Sequence, residues 1–147
     1  MTSRWLASAG RVFVDSSGYF ALKAANDTNH ETARTMLYEL VEARRRLITT
    51  NYIVGETHAL MLSRLGYEAV LTWLLDIRAS TGTTIVRVSL RDEQRAVEIL
   101  SRYDDKVFSF TDATSFAVME RLHITQAFSF DQDFRQYGFQ ILRPGST

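Results

Sequence analysis

Four carboxylates stand where a fold can bring side chains together: Asp15, Glu56, Asp112 and Asp131. Asp15 directly follows Val12-Phe-Val14, so it closes the first predicted strand and opens the first helix. Asp131 likewise closes a predicted strand over Gln126–Phe130, and Asp112 stands at the head of a predicted helix over residues 113–123. Taken singly, each aspartate has an ordinary account as a helix cap, a turn residue or a partner of the helix dipole. Glu56 is different, because its i−4, i−3, i+3 and i+4 neighbours are Tyr52, Ile53, Ala59 and Leu60, which places it on an apolar stripe. An ionised carboxylate there needs a partner, either an arginine or a cation shared with the aspartates. Glu31, Glu39, Glu42, Glu68, Asp92, Glu93 and Glu98 read as members of solvated helix faces.

Carboxylates gathered at one place repel by about 4 kcal/mol per pair at 4 Å and an effective dielectric of 20, so a shared site demands a counter-ion. All-oxygen donors select a hard divalent ion, Mg²⁺ or Mn²⁺, and the absence of cysteine removes thiolate sites altogether. Such a site suits metal-assisted hydrolysis of a phosphodiester by in-line attack of water. Other chemistries lack their residues. The three histidines, His30, His58 and His123, have no Gly-x-Ser-x-Gly elbow to serve, and no Gly-x-Gly-x-x-Gly or Walker loop occurs.

The elements that must position these acids follow from periodicity. Short β-branched or aromatic runs, Arg11–Asp15, Leu47–Thr49, Thr84–Val88, Gln126–Phe130 and Gln140–Leu142, read as five strands. Between them lie amphipathic helices: one after a cap at Asn29, a pair over Tyr52–Leu65 (capped by Asn51 and stopped in the αL region by Gly66) and Tyr67–Ala79, one after Ser89, and one capped by Thr111 or Asp112. Helical crossovers imply an α/β fold with a mostly parallel sheet, whose ligands bind outside the carboxyl ends of the strands.

The 147 residues, 46% of them hydrophobic, suffice for a single domain over 1–147, with residues 1–10, including Arg4 and Trp5, as an N-terminal extension. No apolar run reaches the roughly 18 residues of a membrane span, so no membrane partner and a cytoplasmic location are expected. Seventeen basic and seventeen acidic residues cancel, so a polyanion must be gripped locally. Arg44-Arg45-Arg46 is the one basic run, either an RNA contact or a solvated helix end, and Trp73 and Phe116 read as core.

Four segments, Val-Asp15-Ser-Ser17, Asn51-Tyr-Ile-Val-Gly-Glu56-Thr-His, Phe110-Thr-Asp112-Ala-Thr-Ser-Phe-Ala-Val-Met and Phe128-Ser-Phe-Asp131-Gln-Asp-Phe134, occur in the order and context of PIN-domain nucleases. The resemblance runs from Arg11 to Leu142 and is strongest to the VapC-type toxins of toxin–antitoxin pairs. It implies a PIN-like three-layer α/β/α domain with about five strands. It further implies an endoribonuclease dependent on Mg²⁺ or Mn²⁺, homodimeric, inhibited by a cognate antitoxin protein, and acting on a structured RNA substrate such as transfer or ribosomal RNA. The family's acids match Asp15, Glu56, Asp112 and Asp131 as metal and catalytic residues, with Ser17 and Asp133 as auxiliaries. Where some relatives have a further acid after the third, this chain has Thr114 and Ser115. The alternative is a noncatalytic or housekeeping PIN-fold module acting in RNA processing or by protein binding. A phosphoacceptor receiver domain fits poorly, because Ser16-Ser17 follow Asp15 and no lysine follows Lys106.

Overall fold

The computed structural model describes residues 10–146, so the segment bearing Arg4 and Trp5 lies outside the described residues. Five strands, β1 (Arg11–Val14), β2 (Arg46–Thr50), β3 (Thr83–Val86), β4 (Gln126–Phe128) and β5 (Gln140–Ile141), form one sheet in the order β3-β2-β1-β4-β5. Every pairing is parallel, with Phe13 opposite both Ile48 and Ala127, so β1 is central. The expected α/β architecture with a parallel five-stranded sheet is therefore present.

The described residues also form seven helices: α1 (Ser16–Lys23), α2 (His30–Glu42), α3 (Asn51–Leu65), α4 (Tyr67–Ala79), α5 (Leu90–Arg102), α6 (Phe110–Leu122) and α7 (Asp133–Tyr137). Val12, Phe13 and Val14 are all fully buried, as a central strand covered on both faces requires. Alternation divides them between the layers. Phe13 meets Phe134 of α7 with ring centroids 5.9 Å apart, and Phe134 meets Phe116 of α6 edge-on at 5.1 Å. Val14 faces α1 on the other side, near Gly18, and Tyr19 of α1 continues outward to Trp73 of α4 at 5.7 Å. Trp73 and Phe116 are core residues, as expected.

Several local expectations are corrected. Thr50, not Asn51, caps α3, because β2 runs straight into the helix and leaves Thr50 extended with its hydroxyl accepting from Ile53 N at 3.1 Å. Asn51 instead accepts Val88 N at 2.8 Å, pinning the segment beyond β3. Gly66 has φ +87° and ψ 163°, outside the αL region, because it ends α3 and also caps α4. Helix α6 starts at Phe110 and is capped by Ser109, so Asp112 sits in its first turn rather than at its cap. Asp92 is not solvated: it is 3% exposed, completes the capping box of α5, and accepts two bonds of 2.8 Å from Arg121 of α6. No helix among the described residues is long and apolar enough to cross a membrane.

Candidate active site

The carboxyl ends of β1, β2 and β4 deliver acids to one edge of the sheet. Asp15 follows β1 as the N-cap of α1, and its Oδ1 accepts from Ser17 Oγ at 2.6 Å, Ser17 N at 2.9 Å and Gly18 N at 3.2 Å. Its Oδ2 accepts from Ser129 Oγ at 2.8 Å, and that same hydroxyl accepts Asp131 N at 3.0 Å. Ser17 Oγ accepts Phe130 N at 2.9 Å, so two serine hydroxyls lace the β1–α1 turn to the chain leaving β4. Close approach makes this lacing possible. A Cβ on Gly18 would stand 3.0 Å from Phe128 O.

Asp15 is 3% exposed, and burial pushes its carboxyl up to about 6, against the opposing hydrogen bonds from Ser17, Ser129 and Gly18 and with a further push from Asp131. Asp112, Asp131 and Asp133 form the tightest group, each offering a carboxylate oxygen within 4.8 Å of the others. Asp112 reaches it from α6 while its Oδ2 accepts Ser109 N at 3.0 Å. Asp133 arrives at the start of α7, where its N–H bonds Asp131 Oδ1 at 3.0 Å. Desolvation first, then the neighbouring Asp112 and Asp131, push Asp133 up to about 7.

Glu56 departs from expectation. The buried stripe of α3 is Ile53, Thr57 and Met61, and Glu56 is exposed. Tertiary packing chose a face one residue away from the one its i±3 and i±4 neighbours suggest. Its Oε2 accepts from Ser16 Oγ at 2.8 Å, which places it beside the Asp15 turn, and Oε1 has no donor among the described residues. Asp15 adjoins the three-aspartate group through Ser129, Glu56 adjoins the Asp15 turn through Ser16, and neither belongs to the group. Thr114 and Ser115, at the positions where some relatives carry an acid, are buried and bond Thr111 O.

Ser129 and Ser16 escaped sequence reading, although both are small hydroxyls flanking a strand end, the usual place for such ties. The expected basic run points elsewhere. Arg45 and Arg46 bond Gly10 O, Gln126, Thr84 Oγ1 and Thr81 O at the amino ends of the strands, the edge opposite the acids.

Three carboxylates this close cannot all ionise without compensation, and Asp133, raised first by burial, is raised further by Asp112 and Asp131. Their all-oxygen chemistry fits a hard divalent cation.

These acids stand at the carboxyl edge of a parallel α/β sheet, the layout of a PIN domain, and the PIN-domain model matches residues 12–140: the chain belongs to the PIN-domain family. It is 38% identical over 133 residues to the 23S rRNA-specific endonuclease VapC20 of Mycobacterium tuberculosis, covering 90% of this chain and 98% of that protein. The crystal structure of VapC20, described as a sarcin–ricin loop cleaving toxin, superposes with a TM-score of 0.82 at 39% identity over 90% of this chain and 99% of that one. FitAcB from Neisseria gonorrhoeae shares the fold at a TM-score of 0.68 and 13% identity, over 90% and 97% of the two chains.

Proposed function

We propose that this protein is a divalent-metal-dependent endoribonuclease, the toxin of a toxin–antitoxin pair, with ribosomal RNA as its substrate class. The observation that carries the reading is the group Asp112, Asp131 and Asp133 at the sheet's carboxyl edge beside Asp15. Similarity to a 23S rRNA endonuclease supports the substrate class. Asp112, Asp131 and Asp133, with Asp15 behind them, would hold Mg²⁺ or Mn²⁺. When bound, such an ion supplies Lewis-acid polarisation and neutralises charge developing on the phosphoryl oxygens.

The rest falls to the chain. Glu56, held by Ser16 through one oxygen, keeps the other to orient the attacking water and take its proton. Ser17 and Ser129 fix the Asp15 carboxylate and tie it to the Asp131 backbone, so the acids keep their spacing before substrate arrives. A homodimer and a cognate antitoxin chain complete the proposal. Exposed Leu62, Tyr67 and Leu75 on α3 and α4 offer apolar surface for such association.

The test is cleavage of purified ribosomal RNA with Mg²⁺ or Mn²⁺ and with EDTA. Asp112→Asn and Asp15→Asn should lower the rate at least about 100-fold while melting no lower than wild type, since asparagine keeps an acceptor for the capping bonds. Equal cleavage in EDTA, or by either variant, would leave the noncatalytic module as the better reading.

A further inference from the structure

Beside the acidic edge, α3, α4 and the outer strand β3 border an open cleft of about 400 Å³, lined by Asn51, Val54, Gly55, Arg78, Ile85 and Arg87. Its volume lies within the roughly 300–1,000 Å³ of ligand sites. Two features set it apart from ordinary surface. Arg78 and Arg87 share its lining, and both are exposed with no side-chain hydrogen-bond or ion-pair partner among the described residues; other exposed arginines such as Arg91 and Arg135 are unpartnered too, but here two such guanidiniums meet at one cleft. The bond from Val88 N to Asn51 Oδ1 anchors the chain immediately after Arg87, and buried Ile77 anchors the residue before Arg78.

The second feature is Gly55, in the interior of the 15-residue α3 and one residue before Glu56. Glycine there weakens the helix relative to alanine. Its backbone needs no glycine, having no positive φ, and a Cβ would meet nothing within 4 Å. None of the described residues claims that space. With turns, caps and bulges excluded by its place in mid-helix, the remaining use of a glycine is to let a ligand approach the backbone closely.

We propose that this cleft docks a phosphodiester of the RNA strand flanking the cleaved bond, with Arg78 and Arg87 gripping the phosphate and Gly55 admitting the backbone. The inference rests on the ribonuclease reading above. Its physical need is clear: Asp15, Glu56, Asp112, Asp131 and Asp133 repel a polyanion, and a chain of zero net charge offers no general attraction. Arginine supplies the planar, bidentate donors that phosphate favours, and such contacts set register without reading sequence.

Steady-state cleavage of purified ribosomal RNA over a salt series, with melting temperatures alongside, tests this. Arg78→Gln/Arg87→Gln should raise KM about 10-fold at constant kcat and flatten the log–log salt dependence of kcat/KM by about 0.7–0.9, the slope of one phosphate contact. Arg44→Gln, at the opposite edge, should change neither. Gly55→Ala should raise KM several-fold while raising Tm by about 3 °C, a pairing of signs that a purely structural glycine would not produce. Wild-type KM and salt slope in the arginine variant, or a Gly55→Ala protein with unchanged KM, would overturn the inference and leave the ribonuclease reading standing. A wild-type protein that cleaves no RNA with either metal would overturn both.

Discussion

Crowded carboxylates make the pH dependence of this protein opposite to the usual one. Burial lifts Asp15 to about 6, and burial with Asp112 and Asp131 lifts Asp133 to about 7. Both exceed the ordinary carboxyl value of 3.8, so the folded state binds more protons than the unfolded one from about pH 4 to pH 7. Stability of the metal-free protein therefore falls as pH rises through that window, and the full penalty is present above it. Asp92 and Glu120, held below their ordinary values despite desolvation by the hydrogen bonds from Arg121 and Arg95, act only in more acidic solution. Melting in EDTA should be several degrees lower at pH 7.5 than at pH 5, and Asp133→Asn should remove much of that fall. Superimposable profiles for wild type and variant would mean that neither burial nor the neighbouring carboxylates raise Asp133.

Elements are held in register by contacts that differ in their tolerance. Gly18 lets α1 settle onto β4, and a methyl there would press on Phe128 O at 3.0 Å and Val14 Cγ1 at 3.3 Å. Backbone in a central sheet cannot retreat far, so Gly18→Ala should cost about 1 kcal/mol net of its helix-propensity gain, visible as a lower urea midpoint. On the opposite layer, α5 and α6 are joined by the Asp92–Arg121 pair and by Arg95–Glu120, which Tyr137 of α7 extends with a 2.8 Å bond to Glu120. Arg121→Met would strand a buried carboxylate at a cost of about 2 kcal/mol, reduced from the fully buried case because Arg121 is 43% exposed. Pairing it with Asp92→Asn should recover most of the loss in the same denaturation assay, an outcome that simple loss of packing would not give.

At the scale of the whole molecule, charge is neutral overall and uneven locally. The carboxyl edge gathers acids, while Arg45 and Arg46 clasp the amino edge. On the proposed metal site, Mg²⁺ or Mn²⁺ at one hundred times its Kd would add about 2.7 kcal/mol, so Tm should rise by roughly 5–10 °C over the EDTA value at pH 7.5. Asp112→Asn should abolish the rise. A shift that survives in this variant would place the ion elsewhere.

The class of fold and the order of its acids were determined by local signals. Buried β-branched runs alternating with amphipathic helices admit few arrangements besides a covered parallel sheet, and an acid closing a strand in such a sheet falls at its binding edge whatever the details. Asp15 and Asp131 were legible for that reason. Helix faces and side-chain destinations were not, because they depend on which neighbour arrives. Glu56 turns outward since α3 buries Ile53, Thr57 and Met61 against the rest of the domain, and Asp92 turns inward because Arg121 comes from another helix. Asp112 reaches Asp131 and Asp133 from a different helix, and the cleft brings Asn51 and Gly55 of α3 to Arg78 and Arg87, which lie on other elements. Only the packing of α3, α6 and α7 on the sheet sets those distances, since no local periodicity encodes contacts made across it.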